Sequence, residues 1–110
     1  MHMGTIATLQ ATIVATGSIA ERRFVTLANA QAGADGVVKA ISAMAGVAGD
    51  ALPVTYVGIV DMVAGAEIAA PGPVISDANG LPVPKGVGVN VAGVALNAAA
   101  AGQRVQILIR

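Results

Sequence analysis

Ile6-Ala7-Thr8-Leu9-Gln10-Ala11-Thr12-Ile13-Val14-Ala15-Thr16 alternates, with Ala7, Leu9, Ala11, Ile13 and Ala15 on one side and Thr8, Gln10, Thr12 and Thr16 on the other. Successive side chains of a strand point to opposite faces, so a period of two predicts a half-buried β-strand. The composition around it agrees. Val, Ile and Thr total 31 against 6 Leu, and β-branched side chains lose rotamer freedom in a helix but fit a pleated surface. The 24 Ala alone would favour helix, yet 14 Gly and 5 Pro are spread evenly along the chain. No uninterrupted segment of about 12 residues with helical spacing survives them.

Further runs read the same way. Phe24 to Ala28 is a short predicted strand, and Gly36 to Ser42 another, with Val37, Lys39 and Ile41 opposite Val38, Ala40 and Ser42. Leu52 to Val60 is the longest β-rich run. Glu67 to Ala69 and Pro73 to Ser76 are short ones, and Asp77-Ala78-Asn79-Gly80 is a turn, since Asn and Gly accept positive φ. Pro82 and Pro84 bracket Val83, which suits an edge or a loop because proline cannot donate to a ladder. Val89 to Leu96 is a strand, Asn97 to Ala101 one helical turn at most, and Arg104 to Arg110 the last strand, with Val105, Ile107 and Ile109 inward. About eight short strands with little helix predict a mainly β, single-domain barrel or sandwich. The expected division is a partly extended N-terminal arm over 1–19, with possible tag residues at 1–2, followed by a β domain over 20–110.

One internal echo is present. Ala48-Gly49-Asp50-Ala51-Leu52 and Ala101-Gly102-Gln103-Arg104-Val105 share an Ala-Gly-polar entry into a strand, and Ala64-Gly65-Ala66-Glu67-Ile68 is a weaker copy. Each Gly permits a tight turn. Three copies without a fixed period do not make a solenoid.

Composition also removes function classes. Six Lys and Arg offset six Asp and Glu, so there is no electrostatic footprint for nucleic acid or an anionic membrane. The uncharged stretches Met1 to Ala20 and Gly86 to Gln103 are broken by Thr, Gln, Asn and Gly, unlike a spanning run of ~20 apolar residues. No cysteine is present and His2 is the one histidine, so no Cys- or His-based metal site is expected. Asp77-x-Asn79-Gly80 resembles part of a calcium loop, but no later Asp or Glu supplies the closing bidentate carboxylate. Lys85-Gly86-Val87-Gly88 lacks the frame of a phosphate loop or a dinucleotide fingerprint.

Of Asp35, Asp50, Asp61, Glu67 and Asp77, four sit beside Gly or Ala in predicted turns, a poor basis for a catalytic pair. Ser18, Ser42 and Ser76 have no partner base. Arg22-Arg23, ahead of Phe24, could grip a carboxylate or phosphate or simply be a solvated strand entry. Phe24 and Tyr56 read as core or subunit-contact residues. Lys39 raises an alternative, a small carrier or ligand-binding domain of barrel-sandwich type. Its flanks, Val38 and Ala40, are not those such domains use.

The order of motifs resembles a known family. Ala20-Glu21-Arg22-Arg23-Phe24-Val25-Thr26, Gly36-Val37-Val38, Ala48-Gly49-Asp50-Ala51-Leu52-Pro53-Val54, Val63-Ala64-Gly65-Ala66-Glu67-Ile68, Val74-Ile75-Ser76-Asp77-Ala78-Asn79-Gly80, Ala92-Gly93-Val94-Ala95-Leu96 and Ala101-Gly102-Gln103-Arg104-Val105 together look like the capsid cement, or head decoration, proteins of tailed bacteriophages and prophages. The resemblance implies a β-tulip or barrel-like domain and a homotrimer on the outer surface of the expanded capsid in the virion, made in the cytoplasm of a bacterial host. There it would clamp neighbouring copies of the major capsid protein. It implies no catalysis, no cofactor, no metal, no small-molecule substrate, no nucleic acid and no membrane. The expected capsid-binding residues are Met3, Gly4, Thr5, Ile6, Ala7, Thr8, Leu9 and Gln10, and the expected subunit interface is Arg22, Arg23 and Phe24. On that view, deleting Met3 to Thr12 abolishes shell binding and leaves the trimer folded, because the later strands carry most of the predicted core.

Overall fold

The computed structural model describes residues 6–110, with side chains from Leu9 onward, so the expectations placed on Met3, Gly4 and Thr5 lie outside the described residues. Eight strands form: β1 (Ile6–Val14), β2 (Phe24–Thr26), β3 (Val38–Ser42), β4 (Ala51–Val63), β5 (Gly72–Ser76), β6 (Pro82–Pro84), β7 (Gly93–Ala95) and β8 (Arg104–Ile109). No helix occurs among the described residues. The sheet order is β2-β3-β4-β8-β7-β5-β6, with β1 paired to β4. The two ends of that order are drawn together, since the Phe24 N–H of β2 donates to Gly80 O, ahead of β6, at 2.9 Å, and β6 is also tied to the segment after β4, where the Gly65 N–H donates to Pro82 O at 2.9 Å. The result is a nearly closed, mainly β barrel.

The alternating strands behave as their sequences dictate, with instructive departures. Val105, Ile107 and Ile109 are buried. Of the described side chains on the apolar side of 6–16, Ile13 and Ala15 are covered, whereas Ala11 is exposed and Leu9 is 52 % exposed. β3 buries Ala40, Ile41 and Ser42 in succession, because Ile41 joins one hydrophobic cluster and Ala40 another. Pro82–Pro84 pairs with β5 alone, as an edge where proline is tolerated. The strand expected from Val89 shortens to Gly93–Ala95, because the Asp35 carboxylate takes the Val89 and Asn90 N–H groups away from any ladder. Glu67–Ala69 reduces to a single bridge between Ile68 and Ala99. Within residues 1–19, β1 pairs antiparallel with β4 from Ile6↔Ile59 to Val14↔Ala51, with register shifts between Ala7 and Leu9 and between Leu9 and Gln10.

β4 spans two apolar clusters. Its first half, with β1, β2 and β3, forms the smaller one from Ile13, Ala15, Ile19, Val25, Ala40, Leu52 and Val54. Its second half contributes Val60 and Met62 to the larger, beside Phe24, Ile41, Val74, Val105 and Ile107.

The register exposes an internal repeat. Ile13↔Leu52 recurs as Met62↔Val105, and Ala11↔Val54 as Val60↔Ile107. Val25↔Ala40 recurs as Val74↔Gly93, and Ser42↔Val54 as Ala95↔Ile107. The turns repeat too. The Ala15 N–H donates to Asp50 O (2.9 Å) and the Gly49 N–H to Ala15 O (2.8 Å), while the Ala64 N–H donates to Gln103 O (2.9 Å) and the Gly102 N–H to Ala64 O (2.8 Å). Gly49 and Gly102 have φ of 91° and 81°, a region open to glycine and costly to other residues. The Ala-Gly-polar echo is therefore one turn used twice, with β4 closing the first unit and opening the second.

Candidate functional site

Three surface features can carry contacts, and each is built from the strands outward. The first is the free edge of β1. Among the described residues β1 pairs with β4 and no other strand, so the far edge of this 9-residue strand has no strand beside it. None of Ile6–Val14 is charged or proline, so two of the devices that usually protect an edge are missing from β1, although its register shifts between Ala7 and Leu9 and between Leu9 and Gln10.

The second is a cleft of about 500 Å³ lined by Glu21, Arg22, Arg23, Asp61, Met62, Val63, Leu81 and Arg104. Ser42, fully buried at the end of β3, fixes its rim: the hydroxyl donates to Ala20 O at 2.8 Å and accepts the Arg23 N–H at 3.1 Å. The Arg22 N–H donates to Ser42 O at 3.0 Å. These bonds hold Arg22 at φ 55°, a left-handed conformation that a non-glycine residue adopts only when its surroundings impose it. From there the Arg22 guanidinium donates to the backbone oxygen of Asp61 at 3.1 Å, and Arg23 donates to Asn79 O at 2.8 Å.

Asp61 is 5 % exposed, yet its Oδ1 has no hydrogen-bond partner among the described residues. Leaving a buried acceptor unmet costs about 1–3 kcal/mol, more for a charged group. Arg104 lines the same cleft and its side chain makes no hydrogen bond or ion pair among the described residues. Asp61 is the one of the five acidic residues with neither Gly nor Ala beside it, and nothing in the local sequence signals that the segment 20–23 folds over it. Its position between Val60 and Met62 was the available signal.

The expected interface residues divide accordingly. Arg22 and Arg23 reach the surface at the cleft, whereas Phe24 is 0 % exposed inside the larger cluster. Phe24 underlies any boundary there and offers it no surface. Lys39 is placed within β3, half-buried, with its Nζ bonded to Asn29 Oδ1 and 5.7 Å from the Tyr56 ring centroid. A carrier lysine stands at a hairpin tip, and this one does not.

The third feature is the segment 85–91, which exposes Val87 and Val89 almost entirely. It is latched by Asp35, which accepts the Asn90 N–H at 2.8 Å and the Val89 N–H at 3.0 Å, while the Asn90 side chain donates to Asp35 O at 2.9 Å. The Asn90 and Val89 hydrogen bonds, aided by Lys85, lower the Asp35 carboxyl below its ordinary value of 3.8. A depressed folded-state value means the latch is complete above the ordinary value and is lost only as pH falls through the lower one. The titration midpoint followed by the Val89 and Asn90 amide resonances should therefore lie below 3.8. A midpoint at or above 3.8 would contradict the latch.

Among the described residues no group of three or more His, Cys, Asp or Glu could hold a metal ion, and no helix is long and apolar enough to cross a membrane. Comparison with known proteins gives two findings. Residues 3–110 match the family described as phage cement protein. Among solved structures, the crystal structure of the head fiber gp8.5 N base in bacteriophage phi29 is similar, with a TM-score of 0.75 and 19 % identity over 93 % of this chain and 93 % of that one. At that identity the likeness is one of fold. No curated protein matches the chain.

Proposed function

Because this chain belongs to the phage cement protein family, we propose that it binds the outer surface of the expanded capsid of a tailed phage as a trimer and ties neighbouring major capsid subunits together. The observation that carries the docking reading is the open, uncharged edge of β1. An extended segment of a shell subunit can add to it as a further strand, with backbone hydrogen bonds for affinity and alternate side chains for register. The shell contact thus falls on the capsid-binding residues expected from the sequence, Met3 to Gln10, continued along β1. The cleft around Arg22 and Arg23 lies at the boundary between subunits, where a free guanidinium and an unmet carboxylate favour a charged partner surface.

Lysines on an edge oppose strand addition, and Gln10 and Thr12 are exposed on β1. Gln10→Lys with Thr12→Lys should leave the melting temperature near that of the parent and lower affinity for expanded shells about tenfold or more, equivalent to ~1.4 kcal/mol. In the same co-sedimentation assay, Arg22→Ala with Arg23→Ala should weaken binding in a salt-dependent way. Undiminished decoration by the folded lysine variant would remove β1 as the docking edge.

A further inference from the structure

The internal repeat shows what its first unit lacks. In the second unit Val60 is buried in a cluster that Phe24 and Ile41, paired across β2 and β3 of the first unit, help to complete. By register the counterpart of Val60 is Ala11, which is exposed beside the half-exposed Leu9, with Tyr56 at the margin of the smaller cluster. Among the described residues no further row covers them.

The counterparts of Phe24 and Ile41 in the second unit are Pro73 and Val94, and Leu108 extends the row as Thr55 does in the first. Pro73 is exposed, Val94 and Leu108 partly so. Among the described residues one apolar face therefore lacks a cover and one apolar row covers nothing. An independent sign lies on the same side of β8. Leu108, Gln106 and Arg104 alternate along one face of the strand, leading from the row into the cleft where the buried Asp61 Oδ1 is unpartnered.

We propose that a second copy of the chain supplies the missing cover: the row Pro73, Val94 and Leu108 of one copy packs on the face of Leu9, Ala11 and Tyr56 of the next. The contact joins two different patches, so it runs head to tail and closes into a ring when the rotation between copies permits. The inference rests on the self-association in the reading above. It is tested by mass in solution, apart from any shell.

The test uses two variants, Leu9→Lys with Ala11→Lys for the face and Pro73→Lys with Val94→Lys for the row. Light scattering on a size-exclusion peak should give about three times 10.7 kDa for the parent and 10.7 kDa for each variant alone. Each variant keeps one intact patch, so an equimolar mixture should form a heterodimer of about twice 10.7 kDa and stop there. If a lysine pair lowers the melting temperature, Leu9→Gln and Val94→Thr are measured in its place with the same expected masses. Variants that associate like the parent, a mixture that stays monomeric, or a monomeric parent would each overturn the contact. A monomeric parent that still decorates shells would separate that failure from the docking reading.

Discussion

A chain carrying Phe24→Ala is expected to lose about 3–5 kcal/mol of folding stability, the usual cost of emptying a fully buried phenylalanine site. Phe24 is the sole phenylalanine, is 0 % exposed, and packs in a cluster otherwise built from Val, Ile, Ala and Met. Small side chains on a hydrogen-bonded sheet cannot collapse far into the space it leaves. Its backbone adds a constraint, since the Phe24 N–H donates to Gly80 O at 2.9 Å and its carbonyl accepts the Ala32 N–H at 2.8 Å. The cavity would therefore open at the seam that closes the barrel. Against a total stability of ~5–15 kcal/mol, the loss should appear as a large fall in the urea midpoint. A shift worth less than about 1 kcal/mol would show that the barrel interior tolerates the void.

Deleting residues 3–12 should damage the fold itself. The sequence alone suggested a separable arm whose removal leaves the later strands intact. In the structure that deletion strips six register partners of β4, from Ile6 to Thr12. At ~0.5–1.5 kcal/mol net per backbone hydrogen bond, the loss is several kcal/mol before any packing is counted. It also frees Ile13 and Ala15 from the strand that positions them in the smaller cluster. The truncated chain should melt far below the parent or aggregate through the bared β4 edge, as circular dichroism and turbidity would report. A cooperative transition at the parent's temperature would restore the separable arm. Point changes on exposed residues are the cleaner probe of docking for this reason.

Legibility in the sequence followed the physics of each element. β8 was readable because one face is buried along its length, which imprints a period of two on Val105, Ile107 and Ile109. β3 gave a weaker signal, because both faces are covered and Ala40, Ile41 and Ser42 are all buried. Val89–Val91 looked like strand by composition, but its backbone is claimed by Asp35, far away in sequence. The repeat was hidden because Ile13 can be matched by Met62 and Leu52 by Val105 without loss of packing. Only the turn glycines, with their positive φ, kept a readable trace. At the cleft the arginines stood out as a pair. Ser42 and Asp61 matter through a segment folded over them, and no local spacing records that.

The sharing of β4 between two units sets an order for chain assembly. Its first half pairs with β1, already made when β4 appears, and its second half waits for β8, made last. Non-local antiparallel pairing of this kind places folding in the millisecond-to-second range, whereas synthesis proceeds at ~5–20 residues per second. The first unit can therefore form on a growing chain while Val60 and Met62 still lack Val105 and Ile107. For some seconds the nascent protein is a half-barrel with an open apolar trough, and slowing translation after β4 should increase aggregation more than slowing it before.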